Sequence, residues 1–160
     1  MKLSHVAADG SIAMVDVSAK PPMKRRARAR AIVRMNEPAR TALRDATLAK
    51  GDAFVTAQIA GIQAAKQTAT LIPLAHPLPL ESIDVDFNWQ DDLSLRIETT
   101  VATIARTGVE MEAMTAASVA ALTIYDMCKA LDRNIVIETI HLIEKTKAPA
   151  FEEAVRGGSS

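Results

Sequence analysis

The sequence predicts an α+β fold: an antiparallel sheet with helices packed on one face. Three observations carry that reading. Apolar and polar residues alternate with period two over 24–35, 83–88 and 93–101, as half-buried strands require. Residues 36–48, 52–66 and 109–131 instead show helical character in their apolar spacing, caps or alanine content. Finally, strands and helices do not alternate in the regular order of a parallel doubly wound sheet. The chain has 160 residues, 49% of them apolar. That length suits one domain, burying roughly 70% of its unfolded surface.

The first strand carries the strongest pattern. Lys24, Arg26, Arg28, Arg30 and Arg34 share one parity with Ile32, and Ala27, Ala29, Ala31, Val33 and Met35 share the other. Arg25 is out of step, because it points the apolar way. A buried-side arginine needs a partner or a bound group. Asn36-Glu37-Pro38 then starts a helix with a cap, a first-turn acid and an early proline, running to about Leu48. Lys50-Gly51-Asp52 breaks it, and Asp52 can cap a second helix that ends near Lys66. Leu71–Leu80 holds three prolines, which exclude helix and central strand, so it reads as an ordered apolar loop centred on His76. Two strands joined across Trp89–Asp92 follow. A long alanine-rich helix, Val109–Leu131, and a last strand, Ile135–Glu144, complete the core. A single domain thus covers 1–146, with 147–160 as a flexible tail.

Composition excludes several classes. One cysteine, Cys128, permits no internal disulfide and no thiolate cluster, and reads as a small buried hydrophobe. The first residues lack the apolar run of a signal peptide, and no stretch approaches the length of a membrane helix, so a cytoplasmic location is expected. No Walker loop, dinucleotide fingerprint, zinc spacing or serine elbow occurs, so no cofactor and no metal is assigned. The formal net charge is zero, yet Lys20–Arg34 holds seven cations and no acid, leaving twelve cations and nineteen acids elsewhere. A neutral total conceals one strongly basic segment.

The long helix holds the densest polar set: Glu110, Glu112, Asp126 and Lys129. At 100° per residue, Asp126 lies about 40° from Glu112 around the axis and Lys129 about 60° from Asp126, so all three share a side. Along the axis Glu112 and Asp126 are about 21 Å apart, too far for one small ligand to bridge. Either the two ends serve two sites, or one end meets the other end of a neighbouring subunit. Solvated surface charge is the competing reading, weakened by the apolar and small residues around them. His76 reads either as a satisfied loop histidine or as an imidazole held rigidly between prolines. Lys50 and Lys66 look like solvent lysines, His5 lacks context, and His141 reads as structural from its parity with Ile135, Ile137 and Ile143.

Longer strings narrow the function. Residues 14–20 (MVDVSAK), Lys50-Gly51-Asp52, residues 57–62 (AQIAGI), residues 71–78 (LIPLAHPL), residues 107–113 (TGVEMEA) and residues 121–130 (ALTIYDMCKA) closely resemble the molybdenum cofactor biosynthesis protein C family, the cyclic pyranopterin monophosphate synthases. The resemblance runs from residue 4 to about 146. It implies a ferredoxin-like fold assembled as a hexamer of dimers, with the pocket at a subunit interface. It also implies a lyase of molybdenum cofactor biosynthesis, converting 3′,8-cyclo-7,8-dihydroguanosine triphosphate, made from GTP by the radical enzyme MoaA, to cyclic pyranopterin monophosphate and pyrophosphate. By motif, the implied catalytic residues are Lys50, Asp126 and Lys129, and the implied substrate-binding residues are Arg25, His76, Glu110, Met111 and Glu112. Arg25 would bind the triphosphate, which accounts for its parity. Lysines of lowered pKa are expected to move protons, with Asp126 positioning Lys129. Arg26, Arg28, Arg30 and Arg34 are left to subunit contacts or solvent.

Two positions depart from the family pattern. Ala75 stands where the loop usually has cysteine, and Thr146-Lys147-Ala148-Pro149-Ala150 replaces a glycine-rich, lysine-bearing tail, with Pro149 at the place of the tail lysine and substitution by Lys147 left open. The altered tail leaves open a family member that acts as a binding or assembly subunit. The arginine strand leaves open a nucleic-acid binder, against which stand the 3% aromatic content and the acidic remainder.

Overall fold

Alternating arginine and alanine produce strand β1, Met23–Arg34, the centre of a four-stranded sheet in the computed structural model, which describes residues 10–150. After it come helices α1 (Glu37–Arg44), α2 (Ala53–Lys66) and the single turn α3 (Thr68–Leu71). A hairpin of β2 (Ser82–Trp89) and β3 (Ser94–Ala105), helix α4 (Glu110–Cys128) and strand β4 (Val136–Pro149) complete the chain. The sheet order is β2-β3-β1-β4, with each neighbouring pair antiparallel. This is the order of a ferredoxin-like β-α-β-β-α-β arrangement, with α1–α3 filling the first helical place. The expected α+β class holds.

One face of the sheet packs against α4 and α2. Ala27, Ala29, Ala31 and Val33 of β1 and Leu95, Ile97 and Val101 of β3 are all essentially inaccessible. Opposite them lie Ala113, Ala116, Ala117, Ala120, Ala121 and Ile124 of α4. Small residues let backbones approach closely. At Gly61 of α2 a Cβ would lie 3.1 Å from the Ala116 carbonyl and 3.2 Å from Val85 Cγ2. The buried Thr99 hydroxyl donates to the Ala113 carbonyl at 2.7 Å, tying β3 to α4.

The other face carries the arginines, and the chain itself supplies partners for three of them. Glu98 stands directly across from Arg30 and pairs with both Arg30 and Arg28, the latter at 2.9 Å. Arg28 also reaches Glu144 at 3.4 Å, and Arg34 reaches Glu138 at 3.9 Å. Arg28, Arg30 and Arg34 thus have carboxylate partners within the chain, and Arg34 stays exposed, as the expectation of a solvent role has it.

Several boundaries move for local reasons. Helix α1 stops at Arg44, four residues before the expected end, because Ala46 adopts a left-handed backbone at φ 54°. Helix α4 stops at Cys128, after which the Leu131 and Asp132 N–H groups turn back onto the Cys128 carbonyl. Leu71 belongs to α3, so the proline loop begins at Ile72. Strand β4 runs to Pro149, so the expected tail boundary at 146 falls inside a strand paired with β1. Residues 151–160, and His5, lie outside the described residues. Two register shifts in β4, opposite Arg28/Ala29 and Ile32/Val33, invert the middle of that strand. His141 consequently stands across from Arg30 on the arginine face, exposed, and not beside Ile137 as its parity implied.

Candidate functional site

Helix α4 organises the candidate residues, one group at each end. At its N-terminus, β3 ends at Ala105 and residues 106–109 turn into the helix. The N-cap, Val109, offers no side-chain acceptor, and Glu110 and Glu112 place acids in the first turn, where the helix dipole favours them. Gly108 accommodates the Glu110 carboxylate, since a Cβ there would collide with Oε2. Lys145 of β4 holds that carboxylate at 3.0 Å.

Arg25 enters from β1. Its strand partners are Thr103 on β3 and Lys147 on β4, so it does point to the helix face, and its Nε is buried with no hydrogen-bond partner. Arg25, Lys145, Lys147 and Glu110 help line a cavity of about 330 Å³. A second cavity, about 410 Å³, adjoins it and shares Gly108 and Glu110 as wall. His76, Lys20, Met111 and Glu112 line this second space. Glu112 is 4% exposed, and burial pushes its carboxyl above the usual range; its own backbone N–H offsets part of that, and the nearby Glu110 adds to the rise. His76 Nε2 lies 2.8 Å from the Val15 carbonyl, so it carries the proton and donates. The imidazole thereby ties the proline loop to the segment before β1.

The other group gathers at the helix C-terminus. Lys50 sits in the loop before α2, where Gly51 takes φ 98° and Asp52 caps α2 by accepting from the Val55 N–H at 3.0 Å. This turn sends Lys50 Nζ to the Asp126 carbonyl at 2.8 Å and to Asp126 Oδ2 at 2.9 Å. Lys129 Nζ takes Oδ1 at 2.6 Å. Hydrogen bonds and charge from Lys129 and Lys50 hold the Asp126 carboxyl down at about 2. Asp126 in turn raises the Lys129 ammonium, the reverse of the lowering expected from the sequence. Beside it, burial lifts the Cys128 thiol to about 11, which keeps it unreactive.

The structure thus brings Arg25, His76, Glu110, Met111 and Glu112 together, and separately Lys50, Asp126 and Lys129. It does not bring the two groups together. An unbroken α4 separates Glu112 from Asp126 by about 21 Å. Sequence reasoning missed two wall residues, Lys20 and Lys145, and left open whether Lys147 replaces the tail lysine. Lys20 closes one of the strings that carry the family resemblance. Parity with Ile137 could not have found Lys145, because two register shifts lie between them in β4.

Comparison with known proteins identifies the family. The MoaC family model matches residues 14–148. A cyclic pyranopterin monophosphate synthase of Heliobacterium modesticaldum is 51% identical over 146 residues, covering 90% of this chain and 91% of that protein. One of Thermomicrobium roseum is 50% identical over 145 residues, covering 90% and 87%. One of Staphylococcus aureus is 48% identical over 149 residues, covering 91% of each. A match that spans every described strand and helix but the last residue of β4, with relatives near half identity across nine-tenths of the chain, means that the chain belongs to the MoaC family.

Proposed function

We propose that this chain is a cyclic pyranopterin monophosphate synthase, a lyase of molybdenum cofactor biosynthesis. Its substrate would be 3′,8-cyclo-7,8-dihydroguanosine triphosphate, supplied by a MoaA-type radical enzyme, and its products cyclic pyranopterin monophosphate and pyrophosphate. The observation that carries the reading is the pair of adjoining cavities at the start of α4. One is lined by cations and suits a polyphosphate. The other offers a buried carboxylate and an imidazole, which suit the hydrogen-bonding edge of a purine- or pterin-like ring.

The residue types fit the chemistry. Rearranging the base requires several proton transfers. Closing the cyclic phosphate requires a hydroxyl to attack phosphorus while pyrophosphate leaves. Arg25 binds the triphosphate, and His76, Glu110, Met111 and Glu112 hold the base. Lys50 and Lys129 move protons. Asp126 positions both lysines and keeps Lys129 charged, so Lys129 enters the reaction as an acid. Because α4 separates the two groups, the site is completed by a neighbouring copy, in an oligomer built as a hexamer of dimers. The reading also carries a cytoplasmic location; among the described residues no helix is long and apolar enough to cross a membrane.

Incubation with enzymatically generated substrate tests this directly. Pyrophosphate and a pterin that becomes fluorescent on oxidation should accumulate together. Loss of both with Lys129→Ala, in a protein of unchanged fold, is the expected control. Substrate recovered intact with the native protein would sink the assignment and favour an assembly subunit.

A further inference from the structure

We infer that Lys147 is a binding residue of this site, supplying a cation for the polyphosphate end of the substrate beside Arg25 and Lys145. The inference rests on the function proposed above and concerns a position where this chain departs from the family pattern. Three observations support it.

Lys147 stands directly across β1 from Arg25, on the helix face of the sheet. Cβ atoms of such a cross-strand pair lie about 4.5–5.5 Å apart, and like charges there destabilise the strands. Among the described residues neither side chain makes an ion pair, and the Arg25 Nε is buried without a partner. The two cations are therefore uncompensated at a position where folding alone gains nothing from pairing them.

Charge around the cavity is lopsided. Arg25, Lys145 and Lys147 line it from the helix face, and the only carboxylate on its wall among the described residues, Glu110, is already held by Lys145 at 3.0 Å. A ligand with several negative charges balances that wall, while a monoanion leaves cations in excess. Guanidinium and ammonium groups meeting phosphoryl oxygens form charge-assisted hydrogen bonds. The extension of β4 to Pro149 also matters, because the strand ladder fixes Lys147 in this register. Pro149 removes the tail lysine of the family pattern, and Lys147, two residues earlier, brings a cation to the same cavity. When the sugar hydroxyl attacks the α-phosphorus, the bond from that phosphorus to the α,β-bridging oxygen breaks, and its electron pair leaves on that oxygen with pyrophosphate. The hydroxyl proton passes to a base of the site, and Lys147 with Arg25 stabilises the departing charge.

Calorimetric titration with tripolyphosphate, at one fixed salt concentration, tests the inference without turnover. Lys147→Ala should weaken binding about tenfold, and Lys147→Arg should stay within about threefold of the native protein. Lys66→Ala, an exposed lysine at the end of α2, should bind as the native protein does. KM for the triphosphate substrate should rise in parallel in Lys147→Ala, with kcat changed less. Melting temperatures check the fold, which an exposed edge-strand lysine should leave intact. Native affinity in Lys147→Ala, or no tripolyphosphate binding by the native protein, would overturn the inference. Tripolyphosphate binding lost in Lys147→Ala, in a protein that makes no pterin, would support the polyphosphate site while overturning the function proposed above.

Discussion

Glu112 and Asp126 sit on one helix and are driven in opposite directions. Two ammonium groups bring the exposed Asp126 carboxyl down to about 2, so it stays ionised at any working pH. Glu112 has burial around it and the Glu110 carboxylate nearby, so its pKa is raised. The sign of the consequence follows from linkage. A carboxyl with a raised folded pKa binds its proton longer in the folded than in the unfolded state, so stability falls as pH rises from the unfolded value to the folded one. Glu112→Gln removes that loss. The variant should melt higher than the native protein at pH 7, with the difference shrinking toward pH 4, while product formation drops sharply. Thermal melts across that range check it; an equal difference at both pH values would mean that Glu112 is not held against its charge. At this scale the sequence was informative where chemistry and pattern disagreed. Arg25 was conspicuous because an arginine had taken an alanine's parity. Lys145 was not, because a lysine late in a chain looks like solvent, and Lys147 stood only as an open substitute for the tail lysine.

At the level of elements, α2 and α4 form one unit whose spacing is set by Gly61. A side chain there enters a gap already closed by the Ala116 carbonyl and Val85. Gly61→Leu should destabilise by about 1–3 kcal/mol through overpacking. For a chain of this size that lowers the melting temperature by about 2–4 °C per kcal/mol. Lys50 precedes α2 by three residues, so pushing α2 away also pulls Nζ from Asp126, and activity should fall further than stability. Calorimetry and turnover of the same variant check both parts, and native melting in Gly61→Leu would show that the gap relaxes freely. Most elements were legible because each has one dominant period: β1 from its alternation, α2 from its cap and spacing, β2 and β3 from their paired alternation. The errors have physical sources that single-residue patterns do not carry. A left-handed Ala46 ended α1 early, and two bulges in β4 turned His141 to the other face. A bulge is a property of two strands in register, invisible while only one is read.

For the whole molecule, the decisive quantity is the length of α4. About 21 Å along its axis separates Glu112 from Asp126, and an unbroken helix cannot fold back to close that distance. The helical repeat alone predicted the separation, and the structure adds that each end is built by different elements. Lys50 comes from the α1–α2 loop, while Arg25, Lys145 and Lys147 come from the sheet. If one copy supplies the Lys50 end and another the Arg25 end, damage to the two ends is complementary. Lys50→Ala and Arg25→Ala should each abolish product formation alone. Mixed and reassembled in equal amounts, they should regain activity, because random assortment gives about a quarter of the interface sites two intact halves. Mixtures of each variant with itself should regain none. Recovery near that fraction, in particles of oligomeric mass, places the site between copies. Activity at the single-variant level in a verified mixed oligomer would require both groups to act within one chain, against the geometry of α4, and would remove one of them from the mechanism.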